Sequence, residues 1–208
     1  PRHGRLGALR STWSLVCERH AVISLCMIVR DEEQNLPACL ESVRGLFQET
    51  IVVDTGSRDR TREVAAGFGA RVLDFEWPDD FSAARNFAKR QARGQWIMWL
   101  DADERLPEPS RSRLRRLLSQ LANQPLAYLM RQASSPRPDG TALAIDHVRL
   151  FPNLPEVAWE GRVHEQLAPA LKRLGFRFQP TDIVIQHTGY DDRQVVATKV
   201  RRNTALLE

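Results

Sequence analysis

Four short apolar runs, separated by stretches long enough to hold a helix, fill the first hundred residues and leave few folds open. VISLCMIV (22–29) and TIVVD (50–54) are apolar without alternation, the pattern of strands covered on both faces. ARVLDFEW (70–77) reads as a third, shorter strand and QWIMWLD (95–101) as a fourth. The segments between them carry helix signals. In RDEEQNLPACLESVRGLF (30–47), Asn35 is placed as a cap, Pro37 suits the first turn, and Leu36, Leu40, Val43 and Phe47 recur on one face. Thr61 to Phe68 reads as a helix with Gly69 as its C-terminal cap. DDFSAARNFAKRQARG (79–94) reads as another, closed by an Asp at one end and Gly94 at the other. Alternating strands and crossover helices predict an α/β chain, with a doubly wound, mainly parallel sheet flanked by helices.

Past Pro109 the pattern changes. SRSRLRRLLSQLAN (110–123) is amphipathic, with Leu114, Leu117, Leu118 and Leu121 on one face and arginines on the other, as on a solvated helix. LAYLMRQ (126–132) and TALAIDHVRLF (141–151) read as strands joined by the turn-rich ASSPRPDG, and TDIVIQHTG (181–189) as a further strand. DDRQVVATKVRRNTALLE (191–208) reads as a helix without a stop signal.

The 208 residues, 42% of them apolar, suit one large domain with its own core. Of the formal net charge of +4, residues 1–20 hold +3, from Arg2, Arg5, Arg10 and Arg19 against Glu18. The remaining body, at +1, has no field to gather a polyanion, which argues against nucleic acid as a partner. The leader lacks a long apolar run and so predicts neither a secretory signal nor a membrane span. It reads as a flexible basic extension, with peripheral contact to a membrane as the second reading. Cys17, Cys26 and Cys39 have neither metal-ligand nor redox spacing, so free thiols in a reducing cytoplasm are expected, with Cys26 in the core.

Ligands of open parallel sheets collect at the carboxyl ends of the strands, near the point where strand order reverses. Polar residues crowd those ends here: Arg30 and Asp31 after the first strand, Asp54 with Thr55, Gly56 and Ser57 after the second, Asp101 and Asp103 after the fourth. In an extended chain positions i and i+2 share a face, so Asp101 and Asp103 are expected to present carboxylates to one site. A hard divalent cation, Mg²⁺ or Mn²⁺, relieves their repulsion and completes its shell with water and substrate phosphates.

In this order, ISLCMIVRDEEQNL, IVVDTGSRDRT, FSAARNFA and WLDADE resemble a family 2 glycosyltransferase with the A-type, Rossmann-like nucleotide-sugar fold. The likeness is close over residues 21–105 and continues through WEGRVHEQL (159–167) and IQHTGY (185–190). Those later motifs look like the bacterial branch that includes lipopolysaccharide-core glucosyltransferases and peptide S-glycosyltransferases. Helical tetratricopeptide repeats often follow the catalytic domain in that branch, and KVRRNTALLE looks like the lead-in to one. The resemblance implies a catalytic domain over 21–190, with a nucleotide-sugar half (21–105) and a smaller, antiparallel acceptor half (106–190), and the start of a repeat region over 191–208.

Site roles follow from the same resemblance. Val29, Arg30, Asp31 and Glu33 would lie by the uracil and ribose of a UDP-sugar donor, and Asp54 would hydrogen-bond the base with support from Ser57 and Asp59. Arg85 and Asn86 match the family's Ala-Arg-Asn segment, where the arginine neutralises phosphate or orients the acidic turn. In the Asp101-Ala102-Asp103 motif, Asp101 would touch ribose and a metal-bound water, and Asp103 would bind Mn²⁺ or Mg²⁺ with His187 completing the shell. The Glu-Asp pair that usually supplies the base is absent; Glu165 leads in its place, ahead of His164 and Glu160. Trp159 is open between a sugar-stacking and a core role.

The expected activity is an inverting, metal-dependent transfer of a hexose from a UDP-sugar to a glycan, lipid-linked glycan or peptide acceptor, in the cytoplasm. A degenerate module that binds nucleotide sugar or a partner without turnover is the alternative. Arg105 stands where a haloacid dehalogenase phosphatase wants Thr or Val, RDEEQN is no basic nucleotidyltransferase loop, and neither G-x-G-x-x-G nor a P-loop follows the first strand.

Overall fold

The computed structural model describes residues 21–121, 124–134 and 143–188. The basic leader, a stretch of the turn after Ala133 and the expected C-terminal helix lie outside the described residues. Among the described residues the chain runs β1 (Ile23–Val29), α1 (Leu36–Ser42), β2 (Glu49–Asp54), α2 (Thr61–Gly67), β3 (Arg71–Asp74), α3 (Phe81–Gln91), β4 (Trp96–Trp99), β5 (Glu104–Arg105), α4 (Glu108–Ser119), β6 (Leu126–Ser134), β7 (Ala144–Pro152), α5 (Ala168–Arg173) and β8 (Arg177–His187). The strands form one sheet in the order β3-β2-β1-β4-β7-β6-β8-β5.

β1 is the axis of the first half, with β2 and β4 parallel to it on either side and β3 parallel to β2. Its side chains alternate between two apolar layers, as the pleat requires. Leu25 and Met27 pack with Leu36 and Leu40 of α1. Cys26 packs on the other layer with Ile51, Val53 and Ile97, where burial pushes its thiol up to about 12. Strand order reverses at β1, so a crevice opens where β1 and β4 end.

The second half is antiparallel from β4 to β7 and β7 to β6, but β6 pairs with β8 in parallel. The short β5 then pairs antiparallel with the end of β8, setting Glu104 opposite His187. That pairing draws a residue far along the chain to the end of β4.

Several local expectations shift. α1 stops at Ser42 rather than Phe47, and Gly45 follows at φ +75°. Val43 is buried all the same and Phe47 packs half-buried against the core, so the apolar period records packing and not helix length. Asn35 sits at the N-cap position without capping; its amide donates to Glu32 Oε2 at 2.8 Å. Gly94 does not close α3. It lies where a Cβ would meet Ser24 Oγ at 2.6 Å and Val22 O at 2.9 Å, so it is small because two strands' backbones meet there. Gly69 does close α2, at φ +79°, with Ala70 N–H donating to Ala65 O at 3.1 Å and Gly69 N–H to Ala66 O at 2.9 Å. On α4, Arg111 donates to Ser42 O and Arg113 to Asp182 O, tying the helix to its neighbours.

Candidate active site

The acidic segment after β4 is a turn, not a continued strand. Glu104 N–H donates to Asp101 O at 3.1 Å, and Asp101 N–H donates to Glu104 Oε2 at 2.9 Å. Asp101 and Asp103 therefore meet through the turn and not through the alternation of an extended chain. Their carboxylates take different partners. Asp101 Oδ1 accepts from Arg85 Nη2 at 2.9 Å, whereas Asp103 Oδ2 lies 3.4 Å from His187 Nε2. Thr188 reinforces the second contact, donating to Asp103 O from both N–H and Oγ1 at 2.9 Å. Among the described residues no group of three or more His, Cys, Asp or Glu side chains converges on a metal position. Asp103 and His187 form a pair, and Asp101 is turned to the arginine.

Arg85, on α3, joins the two halves of the site. It is 7% exposed and also donates from Nε to Glu165 Oε1 at 2.6 Å. Burial opposes its charge, but the carboxylates of Asp101 and Glu165 outweigh that and push its pKa further up. Burial likewise opposes the Asp101 anion, and the Arg85 and Arg149 guanidiniums overcome it, holding the carboxyl below its usual range.

Glu104, the third acid, is wholly buried, as is Arg149 on β7. Arg149 grips it with two hydrogen bonds, Nη1 to Oε2 at 2.7 Å and Nη2 to Oε1 at 2.6 Å. Gln132 Nε2 donates to the same Oε1 at 2.8 Å. Both guanidiniums lie on the Trp99 ring, Arg85 at 4.2 Å and Arg149 at 3.7 Å from its centroid. Sequence reasoning missed Arg149, although a lone charge inside the apolar run HVRLF was a signal that it must have a buried partner.

A cavity of about 470 Å³ opens at this point. Val29 at the end of β1 and Arg30 and Asp31 just after it line the cavity, with Asp101, Ala102 and Asp103 from the turn and Arg85, His164, Glu165 and His187 from elsewhere. Trp77 and Phe81, stacked edge to face at 4.8 Å, add an aromatic side that the sequence reading did not anticipate; their place around the capping Asp80 was the available signal.

Glu33, Asp54, Ser57 and Asp59 do not line the cavity. They lace together the loops after β1 and β2. Ser57 Oγ accepts from Asp31 N–H at 2.9 Å, Asp59 Oδ2 from Glu33 N–H at 3.0 Å, and Glu33 Oε2 from Arg60 N–H at 3.0 Å. Asp54 Oδ1 accepts from the N–H groups of Gly56 and Ser57, both at 2.9 Å. Its Oδ2 is buried with no hydrogen-bond partner among the described residues, and the next residue in the chain, Thr55, lines the cavity.

Asn86 also faces away from the cavity. Its amide accepts from Trp159 N–H and donates to Trp159 O, both at 2.9 Å. Phe81 N–H donates to Arg162 O at 2.9 Å, so α3 anchors the loop 159–167 along its length. Gly161 at φ +97° and His164 at φ +58° fold that loop inward. Trp159 is buried, packed edge to face on Phe151 at 5.3 Å, and also lines a neighbouring cavity. Glu160 is displaced as a candidate base: its exposed carboxylate pairs with Arg173 and lines neither this cavity nor its neighbour.

A second cavity of about 480 Å³ lies across a shared wall of Arg85, Asp101, His164 and Glu165. Its other side chains include Gln132, His147, Trp99 and Gln166. His147 is half-buried; burial and the Arg149 charge push its pKa below the usual histidine range.

Residues 24–187 match the model of glycosyl transferase family 2. A TPR repeat-containing protein of Synechococcus elongatus is 42% identical over 82% of this chain, and the prophage-derived glycosyltransferase SunS of Bacillus subtilis is 29% identical over 89%. The chain spans less than half of each relative, 43% and 44% respectively. Among solved structures, S. aureus TarS 1-349 in complex with UDP-GlcNAc superposes with a TM-score of 0.65 at 12% identity, covering 85% of this chain and 61% of that one. A Pyrobaculum calidifontis mannosyltransferase in complex with GDP-Man and Mn²⁺ reaches 0.63 at 17% identity, covering 95% and 69%. These structures share the fold, and the family match runs from β1 to the histidine that β5 draws into the site: the chain belongs to glycosyltransferase family 2.

Proposed function

We propose that this glycosyltransferase moves a hexose from a UDP-sugar to a glycan, lipid-linked glycan or peptide acceptor, with inversion at the anomeric carbon. The observation that carries this reading is the junction at the switch point, where Asp103 beside His187 and Arg85 between Asp101 and Glu165 border one cavity.

Asp103 and His187 fit a two-residue anchor for Mn²⁺ or Mg²⁺, leaving the other positions to diphosphate oxygens and water, and the imidazole favours Mn²⁺. The ion would supply charge neutralisation for the departing diphosphate. The uracil would lie toward Val29, Arg30 and Asp31, and Asp54 would accept a base N–H through its unpartnered Oδ2 only if the adjoining Thr55 edge of the cavity yields to the base. Arg85 would hold Asp101 and Glu165 in register. Glu165 would take the proton of the acceptor as its oxygen bonds to the anomeric carbon, with His164 as the second candidate, while the bond to UDP breaks and leaves its electron pair on the diphosphate. Buried Cys26 and Cys39, both free thiols, fit a cytoplasmic site of action. Among the described residues no helix is long and apolar enough to cross a membrane.

Asp103→Ala should abolish UDP release from UDP-glucose in Mn²⁺ while leaving the melting temperature within a few degrees. Wild-type turnover in that variant would overturn the metal assignment. UDP binding without turnover in the unsubstituted protein would support a binding module instead, a reading that the engagement of Glu165 by Arg85 favours.

A further inference from the structure

The second cavity has no role in the donor chemistry, yet it touches the same catalytic wall. Its charge state is set before any ligand arrives. Arg85 is shared by two carboxylates, Asp101 and Glu165. Arg149 is matched by Glu104, and Asp146 at the rim pairs with Arg131 at 3.1 Å. Among the described residues the wall therefore offers no spare guanidinium or ammonium to a phosphate and carries a surplus carboxylate on the Arg85 triad. The remaining polar side chains are hydrogen-bonding ones: the Gln132 and Gln166 amides and the imidazoles of His147 and His164. His147 stands edge to face with Trp99, 6.2 Å between centroids, which fixes its imidazole at the cavity lining beside the amides. Amides and imidazoles without a free guanidinium or ammonium suit a ligand rich in hydroxyls.

We propose that this cavity receives the acceptor, and that it selects a neutral, hydroxyl-rich glycosyl group over a phosphorylated one. The inference rests on the glycosyltransferase reading above. A hydroxyl presented from this side reaches the shared wall, gives its proton to Glu165 and bonds to the anomeric carbon held in the first cavity, with UDP leaving. A phosphate on the same ring would meet the Asp101–Arg85–Glu165 triad, whose one cation is already matched twice over, at a cost that desolvation raises.

The test measures UDP release from UDP-glucose in Mn²⁺ with the full-length protein, adding glucose or glucose 6-phosphate. Glucose should accelerate release with a kcat/KM at least tenfold above that for glucose 6-phosphate. His147→Ala should raise the KM for glucose several-fold without changing UDP affinity in a thermal-shift titration. Gln166→Lys, on an exposed position, should narrow the preference by threefold or more. Equal or better acceleration by glucose 6-phosphate overturns the proposal, as does a glucose response that neither variant alters. No response to either sugar with UDP binding intact overturns it too, and leaves the donor reading standing. Absence of UDP binding removes the donor reading, and this inference falls with it.

Discussion

Replacing Arg149 by methionine should destabilise the protein more than any other single change at the site. The side chain volume is roughly kept, so the effect isolates charge. In the native protein Glu104 and Arg149 are both wholly buried and joined by two hydrogen bonds of 2.6 and 2.7 Å. Without the guanidinium, Glu104 keeps, among the described residues, the Gln132 amide and the Asp101 N–H. Removing one partner of a buried pair costs about 3–5 kcal/mol, because the survivor is left as an uncompensated charge. That is a large fraction of a typical stability of roughly 5–15 kcal/mol. With a urea slope of about 2 kcal/mol per M, the midpoint should fall by roughly 2 M. The deficit should shrink toward pH 4. Stranded in the variant, Glu104 has a folded pKa above its unfolded one, so its protonated form favours the fold at low pH and that benefit is lost as pH rises. A double variant, Glu104→Leu with Arg149→Met, should recover most of the loss, since no charge is then stranded. A single-variant loss below about 1 kcal/mol would refute the assignment of this pair as a dry ion pair.

Asn86→Ala should cost about 2 kcal/mol by denaturant titration, from two lost hydrogen bonds to Trp159, and should lower turnover by loosening the loop that carries Glu165. Gly94→Ala should cost about 1–3 kcal/mol in the same assay, since its Cβ would sit 2.7 Å from Ser24 N and the backbone of β1 cannot yield cheaply. His147 should make stability pH-dependent. Burial and Arg149 depress its folded pKa, so below its unfolded value near 6.5 the unfolded chain takes a proton that the folded one refuses. Its contribution is present above that pH and is lost as pH falls toward the folded value; His147→Gln should flatten that region of a melting-temperature profile.

How much was legible beforehand divides along a physical line. β1, β2, α3 and β4 could be read from the chain because burial on both faces of a strand, a capping Asp80 and an apolar period are short-range properties. Gly69 could be read for the same reason, as the left-handed residue that a helix end needs. The acidic turn announced a polar site at a strand end. Its internal division of labour was hidden: Asp101 goes to Arg85, Asp103 to His187 and Glu104 to Arg149. Arg85 and Asn86 are adjacent in the chain, yet on a helix they point about 100° apart and serve different walls, which a matched tripeptide cannot show.

The alternation of strand and helix, the apolar layers and the crowding of acids at one edge of the sheet are written in the order of the residues, because each follows from the chemistry of neighbours within a few positions of one another. The folded arrangement alone chooses which acid meets which cation, brings His187 beside Asp103 through β5, and raises on Arg85 the wall that separates the two cavities. A charge in a low-dielectric interior must be matched, but any of several distant partners can match it. Sheet order and loop closure make that choice, and no local pattern records it.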